Sequence, residues 1–125
     1  MLVDTDVLIW HLRGYPQATR RLDQLPELIL SAVSYMEVLQ GIRNKTEAAA
    51  LKKMLAIRRA KILALSETIT HRAIALMEAI TLSHGLQMGD ALIAATALHH
   101  QLPILTGNVK HFAVIDGLPI EAFSP

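Results

Sequence analysis

Apolar runs of two kinds alternate along the chain. Short, nearly uninterrupted runs have the length and composition of buried strands: "LVDT" at residues 2–5, "ELILSAVS" at 27–34, "AKILAL" at 60–65 and "LPILTGN" at 102–108. Between them, patterns of helical period predict "DVLIWHL", terminated by Gly14 and Pro16, then "SYMEVLQGIR" and "TEAAALKKMLAIRR". In the last of these Ala48, Leu51 and Leu55 share a face, while Lys45, Lys52 and Arg59 recur every seven residues on another. Two more helices follow, "TITHRAIALMEAITLSH", ended at Gly85, and "GDALIAATALHH", whose small residues suit close packing. The tail "AVIDGLPIEAF" predicts an edge strand. Strands alternating with helices imply the α/β class, an α/β/α sandwich around a central, mostly parallel sheet. At 125 residues, with no repeat, low-complexity tract or linker, the chain reads as one domain spanning 1–125.

Composition changes this picture in three places. A hydrophobic fraction of 52% and a mean hydropathy of +0.35 are high, yet runs such as "LIAATAL" are far too short to span a bilayer, so the surplus of apolar surface points to a protein partner. The first residues lack the basic and apolar regions of a secretory signal, which makes the cytoplasm the expected location. The absence of cysteine excludes disulfides and thiolate zinc sites. Charge is segregated: seven basic residues between 43 and 61 oppose only Glu47, a net +6 that leaves −5 over the rest of the chain.

The acids carry the candidate chemistry. Asp4 ends the first predicted strand, Glu37 falls in the first turn after the second, and Asp90 opens its helix directly after Gly89. Each also has a plain structural reading. "SYME" fits a capping box with Ser34 as N-cap, Glu37 three residues on and Val33 with Val38 as the hydrophobic staple. Asp4 and Asp90 suit the positive ends of helices. In an open parallel sheet, however, the carboxyl ends of the strands face a common crevice, and Asp4 would meet Glu37 there. Carboxylates gathered without Lys or Arg repel one another unless they share a cation. Hard oxygen ligands of this kind select Mg²⁺ or Mn²⁺, ions that support attack of water on phosphate esters.

"LVDTDVLI", "SAVSYMEVLQGI", "GDALIAATAL" and "ILTGNVKHF", in this order and spacing over nearly the whole chain, resemble the PIN-domain ribonucleases, specifically the VapC-type toxins of bacterial toxin–antitoxin pairs. The resemblance implies a compact α/β/α fold and cleavage of RNA with Mg²⁺ or Mn²⁺. It also implies a cognate antitoxin that occupies the site, and a homodimer. Carried over by position, Asp4, Glu37 and Asp90 are the metal-binding acids. Where many members carry a fourth acid in the segment "TGNVKHF", this chain has Asn108, whose amide oxygen can ligate a metal or orient water without adding charge. Thr106 is expected to hydrogen-bond the acids, and Asp6, in place of the more usual small polar residue, to support them from behind.

Two other classes fit parts of the pattern. "LVDTDVLI" matches the D-x-D start of haloacid-dehalogenase-like phosphatases, with "ILTG" as their threonine motif. Gly89 and Asp90, however, precede Thr106 rather than follow it, and no flap fits before "VLIWHL". A non-catalytic, receiver-like signalling domain also pairs acids near its start, but "AKILALSE" offers no aspartate to accept phosphate. Among the six histidines, His11, His71 and His84 show no H-E-x-x-H spacing and the adjacent His99 and His100 face different directions; His111, close to Asn108, is the one to watch. Lys45, Lys52 and Arg59 are candidate contacts to RNA phosphates. Five scattered aromatic residues make no base-stacking platform, and the methionines at 36, 54, 77 and 88 read as core filler.

Overall fold

The computed structural model describes all residues, 1–125. Five short strands, β1 (Leu2–Val3), β2 (Ile29–Ser31), β3 (Lys61–Leu63), β4 (Ile104–Thr106) and β5 (Ile120–Ala122), form one sheet in the order β3-β2-β1-β4-β5. Every neighbouring pair is parallel. Helices α1 (Thr5–Leu12), α2 (Pro16–Asp23), α3 (Ala32–Gln40), α4 (Lys45–Ile57), α5 (Glu67–His84), α6 (Met88–His99) and α7 (Val109–Phe112) make the crossovers.

Why the sheet is covered on both sides follows from strand alternation. Leu2, Ile29 and Ile104, aligned in register, enter one core with Ile69 and Ala73 of α5, Ala91 and Ile93 of α6, and Phe112 of α7. Their chain neighbours Val3, Leu30 and Leu105 enter the other core, with Val7 and Leu8 of α1, Ala18 and Leu22 of α2, and Leu51 and Met54 of α4. Two apolar cores on opposite faces of one sheet are the α/β/α sandwich that the alternating pattern predicts.

Local chemistry differs from the sequence reading at four points. Pro16 does not merely end α1; it is the first residue of α2, where its missing N–H needs no partner. The mostly polar "PQATRRLD" buries only Ala18 and Leu22, too little periodicity to announce a helix. The cap of α3 is Ser31 rather than Ser34: the Ser31 hydroxyl accepts the Ser34 N–H at 2.9 Å, so strand passes into helix without a loop. Arg59 lies beyond the end of α4 in a left-handed conformation (φ 50°), off the helical repeat shared by Lys45 and Lys52. Finally, "VKHF" forms the one-turn helix α7. Gly85, by contrast, ends α5 at φ 65° as its position predicts.

This topology fixes where a ligand can enter. From β1 the chain crosses to β2 and β3 on one side, then returns to place β4 on the other side of β1. The connections leaving the carboxyl ends of β1 and β4 therefore diverge, opening a crevice between them.

Candidate active site

Asp4 sits at that divergence, immediately after β1, as the N-cap of α1. Its Oδ1 accepts the Thr5 N–H at 2.8 Å and its Oδ2 accepts the Thr106 hydroxyl, from the end of β4, at 2.7 Å. The side chain is only 3% exposed. Burial, reinforced by the nearby charges of Asp6 and Asp90 and opposed by the Thr106 and Thr5 hydrogen bonds, pushes its pKa up to about 7. Asp6, in the first turn of α1, is engaged differently. Its Oδ1 accepts the Val7 N–H and its Oδ2 the Gly107 N–H, each at 2.8 Å, which ties the start of α1 to the turn after β4. Burial raises the Asp6 pKa as well.

Because α3 begins at Ala32, Glu37 lies in the second turn, past any capping position. Its Oε1 accepts the Thr5 hydroxyl at 2.6 Å. A Cβ on Gly89 would stand 2.9 Å from Glu37 Oε2, so a side-chain-free residue is what lets α6 lie against this carboxylate. Asp90, the third residue of α6, has its Oδ2 3.2 Å from His111 Nδ1. Its pKa is raised chiefly by burial and further by Glu37, against the opposing effect of His111. Asn108 donates its N–H to the Thr106 hydroxyl oxygen at 2.9 Å, while its side chain caps nothing.

These groups border one concavity of about 320 Å³ whose only apolar side chain is Ile9 and which no Lys or Arg borders. Four carboxyl groups, three with pKa values raised by burial, thus face a space that lacks a fixed cation. That donor set fits a divalent metal ion, because hard oxygens under mutual repulsion are neutralised by sharing one. No three of them converge on a single point as a ready-made cage. Mg²⁺ needs none, since it keeps several of its own waters and takes one or two carboxylates.

The structure separates the remaining candidates from this cluster. Lys45 and Lys52 are exposed along α4, and Arg59 borders a larger cavity of about 790 Å³ between α2 and α4, beside Lys53 and Arg58. None of the three borders the acids. His11 belongs to that larger cavity and pairs with the Thr19 hydroxyl at 2.7 Å.

Residues 1–118 match the family model described as PIN domain. The chain belongs to the PIN-domain family. It is 38% identical over 122 residues to Ribonuclease VapC10 of Mycobacterium tuberculosis (strain ATCC 25618 / H37Rv), covering 94% of this chain and 90% of that one. Among solved structures it is similar to a toxin-antitoxin complex from Klebsiella pneumoniae, with a TM-score of 0.75, 32% identity and coverage of 94% and 93% of the two chains. VapBC2 from Rickettsia felis, bound to a DNA fragment from its promoter, shares the fold with a TM-score of 0.87 at 20% identity over 98% of each chain.

Three residues of this PIN domain that the sequence reading passed over shape the site. Thr5 carries the hydroxyl that joins the Asp4 and Glu37 segments, and Gly89 and Gly107 give the carboxylates of Glu37 and Asp6 room to approach backbone. Thr5 stands between two aspartates and each glycine adjoins a candidate residue, which is the only signal the sequence holds for them. The phosphatase pattern loses its physical basis here. Both oxygens of Asp6 are taken by backbone N–H groups, leaving it poorly suited to act as a general acid, and α1 starts directly at Thr5 with no flap. No helix of the chain is long and apolar enough to cross a membrane.

Proposed function

We propose that this chain is an endoribonuclease dependent on a divalent cation, Mg²⁺ or Mn²⁺, that hydrolyses RNA phosphodiester bonds as the toxin of a toxin–antitoxin pair. The observation that carries the reading is the meeting of Asp4, Glu37 and Asp90, from three separate crossovers, around a concavity without Lys or Arg. The ribonuclease name of the VapC10 relative supports the substrate class, and the Klebsiella complex supports an antitoxin partner. With RNA as substrate, the place of action is the cytoplasm. A homodimer agrees with the exposed Met36 and Leu39 of α3 and Ile62 and Leu65 at the edge strand β3.

In this mechanism Asp4, Glu37 and Asp90 hold the cation, which when bound lowers the pKa of water and offsets charge on the phosphate under attack. Thr106 and the Thr5 N–H fix both oxygens of Asp4, so the carboxylate presents its remaining lone pairs in one direction. Thr5 does the same for Glu37 through its hydroxyl. Asp6 binds no cation in this scheme; it staples α1 to the turn carrying Gly107, and so keeps Asn108 at the rim. The Asn108 amide, free of any capping bond, is available to orient a water or a phosphate oxygen. Lys45, Lys52 and Arg59, away from the acids, hold flanking phosphates by charge alone.

Incubation of the purified chain with total RNA tests the proposal, with Mg²⁺, with Mn²⁺, and with EDTA. Endonucleolytic fragments that require the cation, and that disappear with Glu37→Gln or Asp90→Asn, are the expected result. Cleavage that persists in EDTA, or in both variants at the wild-type rate, overturns it.

A further inference from the structure

The proposed site contains one nitrogen donor that the acidic scheme leaves without a task. His111 projects from the one-turn helix α7 into the same concavity as Asp4, Glu37 and Asp90, with its Nδ1 3.2 Å from Asp90 Oδ2. In the metal-free protein this is a direct imidazole–carboxylate contact, and because two ligands in neighbouring octahedral positions on an ion at about 2.1 Å stand about 3.0 Å apart, the same two atoms need move little to take a cation between them. The position is also well anchored. Phe112, the next residue, is fully buried in the core beneath, and the His111 N–H is bonded to the Asn108 carbonyl at 3.0 Å. Five other histidines lie outside the concavity, and no other side chain there offers an aromatic nitrogen.

Building on the proposed metal-dependent activity, we infer that His111 is a direct ligand of the cation through Nδ1, beside Asp90, making this a mixed oxygen–nitrogen centre. An imidazole nitrogen is a poorer ligand than oxygen for the hard Mg²⁺ and is better accepted by a first-row transition ion such as Mn²⁺. The residue therefore biases the site toward Mn²⁺ over Mg²⁺.

Pulsed electron paramagnetic resonance of the full chain loaded with one equivalent of Mn²⁺ reads the ligand directly, because a coordinated imidazole nitrogen modulates the electron spin echo. Nitrogen modulation is expected in the wild type and in His84→Gln, a surface control, and is lost in His111→Asp. Competition titrations should show the Mn²⁺-over-Mg²⁺ preference falling about tenfold in His111→Asp, which exchanges the nitrogen donor for an oxygen one. If Mn²⁺ binds the wild type, fails to bind Asp90→Asn, and yet shows no nitrogen modulation in the wild type, His111 is not a ligand and the inference falls while the ribonuclease reading stands. If Mn²⁺ does not bind at all, the metal-dependent reading itself fails, and this inference with it.

Discussion

The Thr106 hydroxyl donates to Asp4 Oδ2 at 2.7 Å and accepts the Asn108 N–H at 2.9 Å, joining residues 102 positions apart in the chain. Both partners are buried, Asp4 at 3% exposure and Thr106 at 0%. Thr106→Val preserves shape but leaves an Asp4 oxygen and the Asn108 N–H unpaired, the buried Asp4 oxygen alone at a cost of about 1–3 kcal/mol. Denaturant melts near neutral pH should show a larger loss in the wild-type background than in Asp4→Asn, where only the Asn108 part remains, whereas Thr106→Ser should remain close to wild type. Equal losses in both backgrounds would mean that the hydroxyl does not act through Asp4.

Two aspartates separated by one residue have different partners, and the proposed mechanism gives them different tasks. Asp4→Asn removes the charge of a proposed cation ligand and should abolish nearly all cleavage. Asp6→Asn keeps an oxygen for one of its two backbone N–H partners, so activity should fall about 10–100-fold, as for groups that orient a ligand, and be partly restored by more Mn²⁺. Metal-titrated cleavage by the two variants checks the order. Its reversal would make Asp6 the ligand.

The metal-free protein should lose stability as pH rises. With a folded pKa near 7 against a model value of 3.8, Asp4 binds its proton more tightly in the native state. Its contribution is complete below about pH 4 and disappears as the pH passes through 7. Thermal melts in EDTA should thus give a midpoint that declines from pH 4 to 7, with a smaller decline in Asp4→Asn. Saturating Mn²⁺ should reverse the trend, because the cation binds the ionised carboxylates.

Gly89→Ala separates folding from activity. The added Cβ meets only the far end of Glu37, at 2.9 Å from Oε2, which can swing away, and alanine favours the helical backbone of the first turn of α6 over glycine. The fold should be as stable as wild type or more so. Cleavage should drop about 100-fold, the scale of a misplaced catalytic group. Full activity in a stable Gly89→Ala protein would show that the Glu37 position is not critical.

The basic helix makes a prediction about salt. Replacing Lys45, Lys52 and Arg59 by alanine should weaken binding of unrelated RNAs by similar factors and flatten the dependence on ionic strength by about 0.7 per lost contact on a logarithmic scale. An unchanged slope would leave these residues as solvated surface.

How much of this was legible beforehand depends on the range of the interaction. Strand and helix order and the parallel α/β class follow from alternation and helical period, which are local properties, and the strand ends bring Asp4 and Glu37 to one crevice, whereas Asp90 joins them only through the family resemblance of its motif. Gly85 closes α5 where its own backbone freedom predicts. The short helices α2 and α7 escaped because eight and four residues carry almost no periodicity of their own and are held by the core they cover, through Leu22 and Phe112. The cap of α3 was displaced by three residues for a related reason: Ser31 and Ser34 are chemically equal N-caps, and the sheet's register decides between them. That choice moved Glu37 from a capping position into the second turn, where the Thr5 hydroxyl reaches it. Only the strand order β3-β2-β1-β4-β5 brings Thr106 to Asp4, Gly107 to Asp6 and His111 to Asp90. Each of those pairs is distant in sequence, and one chain carries no local signal of which distant segment becomes its neighbour.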